Sequence, residues 1–321
     1  MTLRLTALSN FLLFRQSLAD RNVEIFKYSE QLSSQKRINR PSDDPVGAKA
    51  VLFARETQNK ITEYQRNLDL AKAYLLNSES TLDQAKEMMA RAKELAIQAR
   101  SDNMSAEQRQ QVAKEVNQLL LQLRDLGNTQ VNGEYIFSGY STTTAPFTLD
   151  PTVDDTATPN VVPVATYNGA TSFKAMQISD SSQLTFQVSG ERAFMGSQGG
   201  VAVAGMVNCF DVLSGFENAL NANDSSDTTG IGYYIDEIET GFRQMVNEIA
   251  SIGAKTNRVE TAQAHFVSQK DTLTEFISLT EDVDVSEVAF NYQRASLALQ
   301  ATIQSAGSVL NLPSLLDFVG K

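Results

Sequence analysis

The chain of 321 residues has no tryptophan, one cysteine and one histidine. A lone cysteine, Cys209, excludes an intramolecular disulfide framework. A lone histidine, His265, has no second imidazole with which to share a metal, so the catalytic inventory is thin. Cationic side chains are the minority, 27 Lys and Arg against 38 Asp and Glu, for a formal net charge of −11. That balance argues against a nucleic-acid binder, which would present a basic face, and against docking on anionic lipid. Long apolar runs are also missing. None approaches the roughly 20 residues a membrane-spanning helix needs. Phe11-Leu12-Leu13-Phe14 is too short for a signal-peptide core, is followed by Arg15, and precedes no small-residue cleavage site. The expectation is a cytoplasmic chain or one exported without a cleaved signal. Prolines number seven, and all fall in Pro41, Pro45, the stretch 146–163 and Pro313, so both ends are free to be helical.

What the ends contain is helical periodicity. Phe11, Leu18, Ile25 and Leu32 recur every seven residues, with Phe14 and Tyr28 at the alternate seam position and Arg21 interrupting; this is a coiled-coil pattern. Pro41 disfavours helical geometry at Arg40 and is expected to break this helix. Asp44 then suits an N-cap and Pro45 the first helical position. From Ile61 to Ala99 the seam Ile61, Tyr64, Leu68, Ala71, Leu75, Ser78, Leu82, Ala85, Met89, Ala92, Ala96 and Ala99 steps by three and four without a slip. A helix from Pro45 to Arg100 would be roughly 85 Å long and needs partner helices along its length. Ser105 with Gln108 forms a capping box for a third helix, carried by Val112, Val116, Leu119, Leu123 and Leu126.

From about Glu134 to Ala204 charges thin out, and Thr, Ser, Gly, Pro and Val dominate. Tyr135-Ile136-Phe137 and Leu184 to Val188 read as strands, and Asn168-Gly169 as a hairpin turn between 165–167 and 173–178. Helix returns with Phe210, Leu213, Phe216 and Leu220. A long seam follows from Ile235 through Ile238, Phe242, Met245, Ile249, Ile252, Val259, Phe266 and Leu273 to Ile277. A last helix, capped by Asp284, carries Val288, Tyr292, Leu299, Ile303 and Leu310. The fold class expected is mainly α with a β insert: a long antiparallel helical rod built from both chain ends and a small β-rich domain in the middle. The divisions expected are terminal helices 1–40 with 284–321, a rod 41–140 with 205–283, and a β-rich domain 141–204. The rod segments can bury one another. The terminal stripes, Phe11, Leu18, Ile25, Leu32, Val288, Tyr292, Leu299, Ile303 and Leu310, make a thin core alone and are better explained by packing between subunits.

These words and this plan together resemble the bacterial flagellin superfamily. The resemblance rests on Leu32-Ser33-Ser34 through Arg40, Pro41, Asp44 and Pro45, on Ala92-Lys93-Glu94-Leu95-Ala96-Ile97-Gln98-Ala99, on Gly253-Ala254-Lys255-Thr256-Asn257-Arg258, and on Glu281-Asp282-Val283-Asp284. It covers roughly residues 1–140 and 207–321. Asn128-Thr129-Gln130 through Tyr135-Ile136-Phe137-Ser138-Gly139-Tyr140, then Ala145-Pro146-Phe147, resembles the branch that joins hook to filament. The opening Leu3-Arg4-Leu5-Thr6-Ala7 departs from the main-filament branch. The resemblance implies terminal helices forming an inner coiled-coil tube, an outer rod and an outermost β-domain. It implies a structural role in motility, with no enzymatic activity and no cofactor. The implied partners are further copies of the chain, the first hook-associated protein on the hook side, flagellin on the filament side and a flagellar export chaperone, with no nucleic acid or membrane. The implied place is the extracellular flagellum, reached by type III export without a cleaved signal. Alternatives are a short filament flagellin, and a secreted adhesive or host-interacting protein using the β-insert.

Bland readings hold for the chemistry-bearing residues. His265 lies in a helix beside Phe266, Cys209 reads as a small buried apolar residue, and Asp43-Asp44 as helix-capping carboxylates. Gly196 to Gly200 lacks the lysine of a phosphate loop and reads as a linker. Asp150, Asp154 and Asp155 lack the spacing of a calcium loop. A hydrolase housed in the insert would have Glu191 and a few aspartates but no histidine or cysteine.

Overall fold

The computed structural model describes residues 2–101, 103–149, 165–179 and 182–310. The chain is mainly helical with a few small antiparallel sheets. Seven helices are described: α1 (Thr2–Ser34), α2 (Pro45–Ala99), α3 (Ala106–Gly127), α4 (Gly190–Met195), α5 (Cys209–Asn221), α6 (Ile231–Glu281) and α7 (Val285–Leu310). The described strands form four antiparallel pairs rather than one sheet. These are β1 (Gln130–Val131) with β2 (Glu134–Tyr135), β3 (Phe147–Leu149) with β4 (Ala165–Tyr167), β5 (Ala175–Ser179) with β6 (Ser182–Thr185), and β7 (Ser197–Gln198) with β8 (Val201–Ala202). Packing groups the residues into two compact units, one of 1–60 with 268–321 and one of 61–267; α2 and α6 contribute to both.

The unit 61–267 holds most of the core. The α2 seam is buried as its period demands: Leu68, Ala71, Leu75, Leu82, Ala85, Met89, Ala92, Ala96 and Ala99 are fully enclosed. Each buried leucine contributes about 1.5–3 kcal/mol. Ser78, the one polar seam position, donates its hydroxyl to Tyr74 O at 2.9 Å. On α6, Ile238, Met245, Ile252 and Val259 are buried in step. The capping box of α3 is complete, with Ser105 and Gln108 bonding each other's backbone N–H. Arg109, 6 % exposed, donates to Ala99 O at 2.9 Å, Ser101 O at 3.3 Å and Asn223 Oδ1 at 2.6 Å. It thereby satisfies carbonyls left over where α2 ends.

The β-rich stretch departs from the expected pattern. Asn168-Gly169 does not join a hairpin: β4 pairs with β3, and β5 with β6. The tight two-residue turns lie elsewhere. Asn132 and Gly133, at φ 55° and 81°, join β1 to β2, and Gly199 and Gly200, at φ 64° and 77°, join β7 to β8. Both turns have the paired positive φ that a type I′ hairpin requires. Gly196–Gly200 is therefore a built hairpin rather than a linker. Its Glu191 carboxylate, 4 % exposed, accepts from Ser197 Oγ at 3.1 Å, Gly199 N at 2.9 Å and Gly200 N at 2.5 Å. That occupancy leaves the one glutamate a hydrolase would need fixed in a structural role.

The β-rich stretch also shares its core with helices. Phe194 meets Phe137 and Phe147 edge-on and stacks on Phe210, and Phe147 meets Phe210 at a tilt, at ring separations of 5.2–6.1 Å, all four fully buried. Gly127 ends α3 where a Cβ would meet the Phe147 ring at 2.6 Å. The expected separate domain 141–204 is thus not where packing divides the chain. Aromatic burial, invisible to a composition shift, makes the stretch part of the larger unit. The connections at Pro151, Pro159 and Pro163, the aspartates Asp150, Asp154 and Asp155, and the helix end at Asn311-Leu312-Pro313 lie outside the described residues.

Candidate assembly surface

The terminal helices belong to the smaller unit, where α1 packs on α7. Their shared core is thin. Among the described side chains of the two helices, only Gln31, Val288 and Ala295 are buried. Leu18, Ile25, Leu32, Tyr292 and Leu299 are half-buried within the single chain. Phe11 and Ile303 are exposed, at 50 % and 54 %, and the side chain of Leu310 lies outside the described residues. The seven-residue stripe read from sequence is therefore only partly covered within the chain. A second set of apolar residues remains in solvent: Leu12, Leu13, Val23 and Phe26 on α1, and Phe290 and Leu297 on α7. Sequence reasoning missed them because a seam was sought on one face only. The spacings Leu12 to Phe26 and Phe290 to Leu297 are multiples of seven and could have shown a second face. Most exposed large apolar side chains of the described protein lie in this smaller unit, which also presents Val46, Leu52, Phe53, Phe276 and Leu279.

The turn between α1 and α2 is rigidly tied. α1 stops at Ser34 rather than at Pro41, because Gln35 turns left-handed at φ 57° and the chain then forms a bridge between Lys36 and Asp282. Arg37 N donates to Glu281 O at 2.6 Å, and Val283 N to Gln35 O at 3.2 Å. An early stop frees these backbone groups to pair with the α6 end. Arg40 and Pro41 lie exposed in the following turn, with Arg40 paired to Glu30 at 3.2 Å. Asp43 Oδ2 accepts from Asn39 N and Arg40 N at 3.1 and 2.9 Å. Asp44 caps α2 by accepting from Gly47 N at 2.9 Å, with Pro45 at the first helical position. Those backbone donors, Arg40 N for Asp43 and Gly47 N for Asp44, hold both carboxyls below the usual aspartate range. Gly47 has no room for a side chain, since a Cβ would lie 2.6 Å from Asp44 Oδ2 and 2.7 Å from Ile38 Cδ1.

At the base of this turn Glu281, 6 % exposed, takes Lys36 Nζ at 3.0 Å and Arg55. Arg37 donates to Thr280 O at 2.7 Å. No sequence spacing announces this cluster, because its members lie more than 200 residues apart. Two concavities flank the turn. One of about 600 Å³ is lined by Phe26, Ser29, Glu30, Ser33, Ser34, Asn39 and Arg40. A smaller one of about 130 Å³ lies over Ile38, Val51, Leu52 and Glu281.

The remaining chemistry-bearing residues are placed plainly. Cys209 is buried and its thiol is pushed up to about 12, chiefly by that burial. His265 is exposed, its ring edge-on to Phe266 at 5.9 Å. Among the described residues no three His, Cys, Asp or Glu side chains converge as a metal site would require, and no helix is long and apolar enough to cross a membrane.

Residues 8–142 match the model of the bacterial flagellin N-terminal helical region. Flagellar hook-associated protein 3 of Escherichia coli is 25% identical over 303 residues, covering 90% of this chain and 92% of the relative. The protein of the same name from Salmonella typhimurium is 31% identical over 144 residues, 44% of this chain and 45% of the relative. In fold, the chain is like the flagellar junction protein FlgL from Legionella pneumophila, with a TM-score of 0.58 and 18% identity over 73% of this chain and 100% of that one. The chain resembles the flagellin superfamily, and within it the hook-associated protein 3 branch.

Proposed function

We propose that this chain is a non-enzymatic structural subunit of the bacterial flagellum that forms the junction between hook and filament. The observation that carries the reading is the likeness to a hook-associated protein 3 along nine-tenths of both chains. The mechanism is packing. The α1 and α7 pair presents Leu13, Val23, Phe26, Phe290 and Leu297 to neighbouring subunits, joined by Phe11 and Ile303 from the sequence-derived set. Burying several such side chains at about 1.5–3 kcal/mol each supplies the drive for ring formation. In the assembled flagellum the hook-side neighbour is the first hook-associated protein and the filament-side neighbour is flagellin. A cytoplasmic chaperone covers the apolar faces before export, and the place of action is extracellular.

Deletion of the gene tests the reading. The expected phenotype is cells with hooks but no filaments and with flagellin shed into the medium. Loss of filament protein itself, with none shed, would instead support a short filament flagellin, and intact motility would sink both. Complementation with Phe26→Asp or Leu297→Asp is expected to leave the monomer's melting temperature unchanged and to abolish filament attachment.

A further inference from the structure

The sequence has two Asn-Gly pairs, Asn132-Gly133 and Asn168-Gly169, and the structure treats them differently. Glycine is the one residue after asparagine that sets no Cβ against approach of its own nitrogen to the side chain. At Asn132 only the β1–β2 turn itself opposes that approach. Asn132 and Gly133 are exposed at the tip of the β1–β2 hairpin, space around Gly133 is open to 4 Å, and among the described residues neither the Asn132 amide nor Gly133 N has a hydrogen-bond partner.

At Asn168 both sides are held. Asn168 N donates to Pro146 O at 2.8 Å and its side-chain amide to Thr148 Oγ1 at 3.0 Å. Gly169 is pressed against Tyr167, where a Cβ would lie 2.3 Å from the ring. Ala170 N is anchored to Ser138 O at 2.9 Å, and Tyr167 Oη donates to Phe137 O at 2.8 Å. Turning the Asn168 backbone towards attack would break this set.

We infer that Asn132 is a spontaneous modification site at which the folded protein deamidates, while Asn168 is protected by its packing. The Gly133 nitrogen gives up its proton and bonds to Asn132 Cγ. The Cγ–Nδ2 bond breaks and ammonia leaves, closing a succinimide ring. Water then opens either ring carbonyl to give aspartate or isoaspartate, so one water enters for each ammonia lost. The site sits beside a clasp. Two residues on, Glu134 accepts from Tyr74 Oη at 2.7 Å and from Lys174 Nζ at 3.1 and 3.2 Å. Isoaspartate adds a backbone carbon to a two-residue turn, so the Gln130–Tyr135 and Val131–Glu134 register must shift and the clasp loosens. The modification is thus an ageing mark that weakens the tie between α2 and the β-rich stretch.

The test is incubation of the full folded chain at mildly alkaline pH, with peptide mapping of both sites by mass spectrometry and a parallel sample in urea. Asn132 is expected to convert about tenfold faster than Asn168 in the folded chain, because local opening energies differ between a free loop tip and an anchored one. In urea the two are expected to agree within about twofold, the fold being gone. Equal conversion in the folded chain, faster conversion at Asn168, or an Asn132 that stays intact after the urea sample has converted would overturn the inference.

Discussion

Thr256 lies on α6, 8 % exposed, with its Oγ1 lacking a hydrogen-bond partner among the described residues. A buried hydroxyl without a hydrogen bond costs about 1–3 kcal/mol. Thr256→Val keeps the shape and removes the hydroxyl, so it is expected to raise unfolding free energy by about 1 kcal/mol in urea titration; a loss of similar size would show a partner in solution. The capping aspartates set an acid limit. Asp43 and Asp44 are held below the usual aspartate range in the folded chain, chiefly by the backbone donors Arg40 N and Gly47 N. The folded state therefore binds these protons less readily than the unfolded one, and the stabilisation is complete above the usual aspartate range. It is lost as pH falls through that range to the lowered folded values. Asp43→Asn combined with Asp44→Asn should flatten the decline of melting temperature in that window and nowhere else.

At the scale of elements, the legible parts were those with a local period or a local cap. The α2 seam was readable because burial repeats every three or four residues along one helix, and Ser105 with Gln108 because a capping box spans four. The end of α1 was misplaced because its cause is remote: Lys36 pairs with Asp282, and the chain turns at Gln35 to reach it. The β pairings were misread for the same reason. Asn168-Gly169 carries a hairpin signal, yet Asn168 is bonded back to Pro146 and Thr148, and the strand before it pairs with β3 instead of β5. In the candidate assembly surface, the stripe Leu18, Ile25 and Leu32 is legible, but its partial cover by α7 is not, and Phe26 and Leu297 show outward only once that pairing exists. Glu281 exemplifies an element held from a distance. Glu281→Ala leaves Lys36 and Arg55 without their shared carboxylate. Both are more than a third exposed, so the cost is expected at about 1–2 kcal/mol rather than the full price of a broken buried pair. Hydrogen exchange should quicken in the last turns of α1 and α6 and remain unchanged in α3 and α5. Uniform quickening would show that the cluster stabilises the whole chain.

For the whole molecule, the two units differ in what stabilises them. The smaller has a thin core on α1 and α7 and much apolar surface in water. The larger is closed by long seams and by a cluster in which Phe137, Phe147, Phe194 and Phe210 meet. Composition alone sets 141–204 apart as a removable insert, and loop-closure entropy would make its replacement cheap. The packing argues otherwise. Exchanging 142–204 for a short Gly/Ser linker removes Phe147 and Phe194, and with them Phe186, whose ring meets Tyr74 of α2 edge-on at 5.3 Å. Each lost phenylalanine costs about 3–5 kcal/mol, so two or three together rival the about 5–15 kcal/mol by which a typical domain is stable. The shortened chain is expected to lose its cooperative melt and to expose Phe210 and Ile136. Phe147→Ala alone should lower stability by about 3–5 kcal/mol while leaving the fold recognisable by circular dichroism. A shortened chain that melts as sharply as the full one would show that α2, α3, α5 and α6 close a sufficient core without the β-rich stretch.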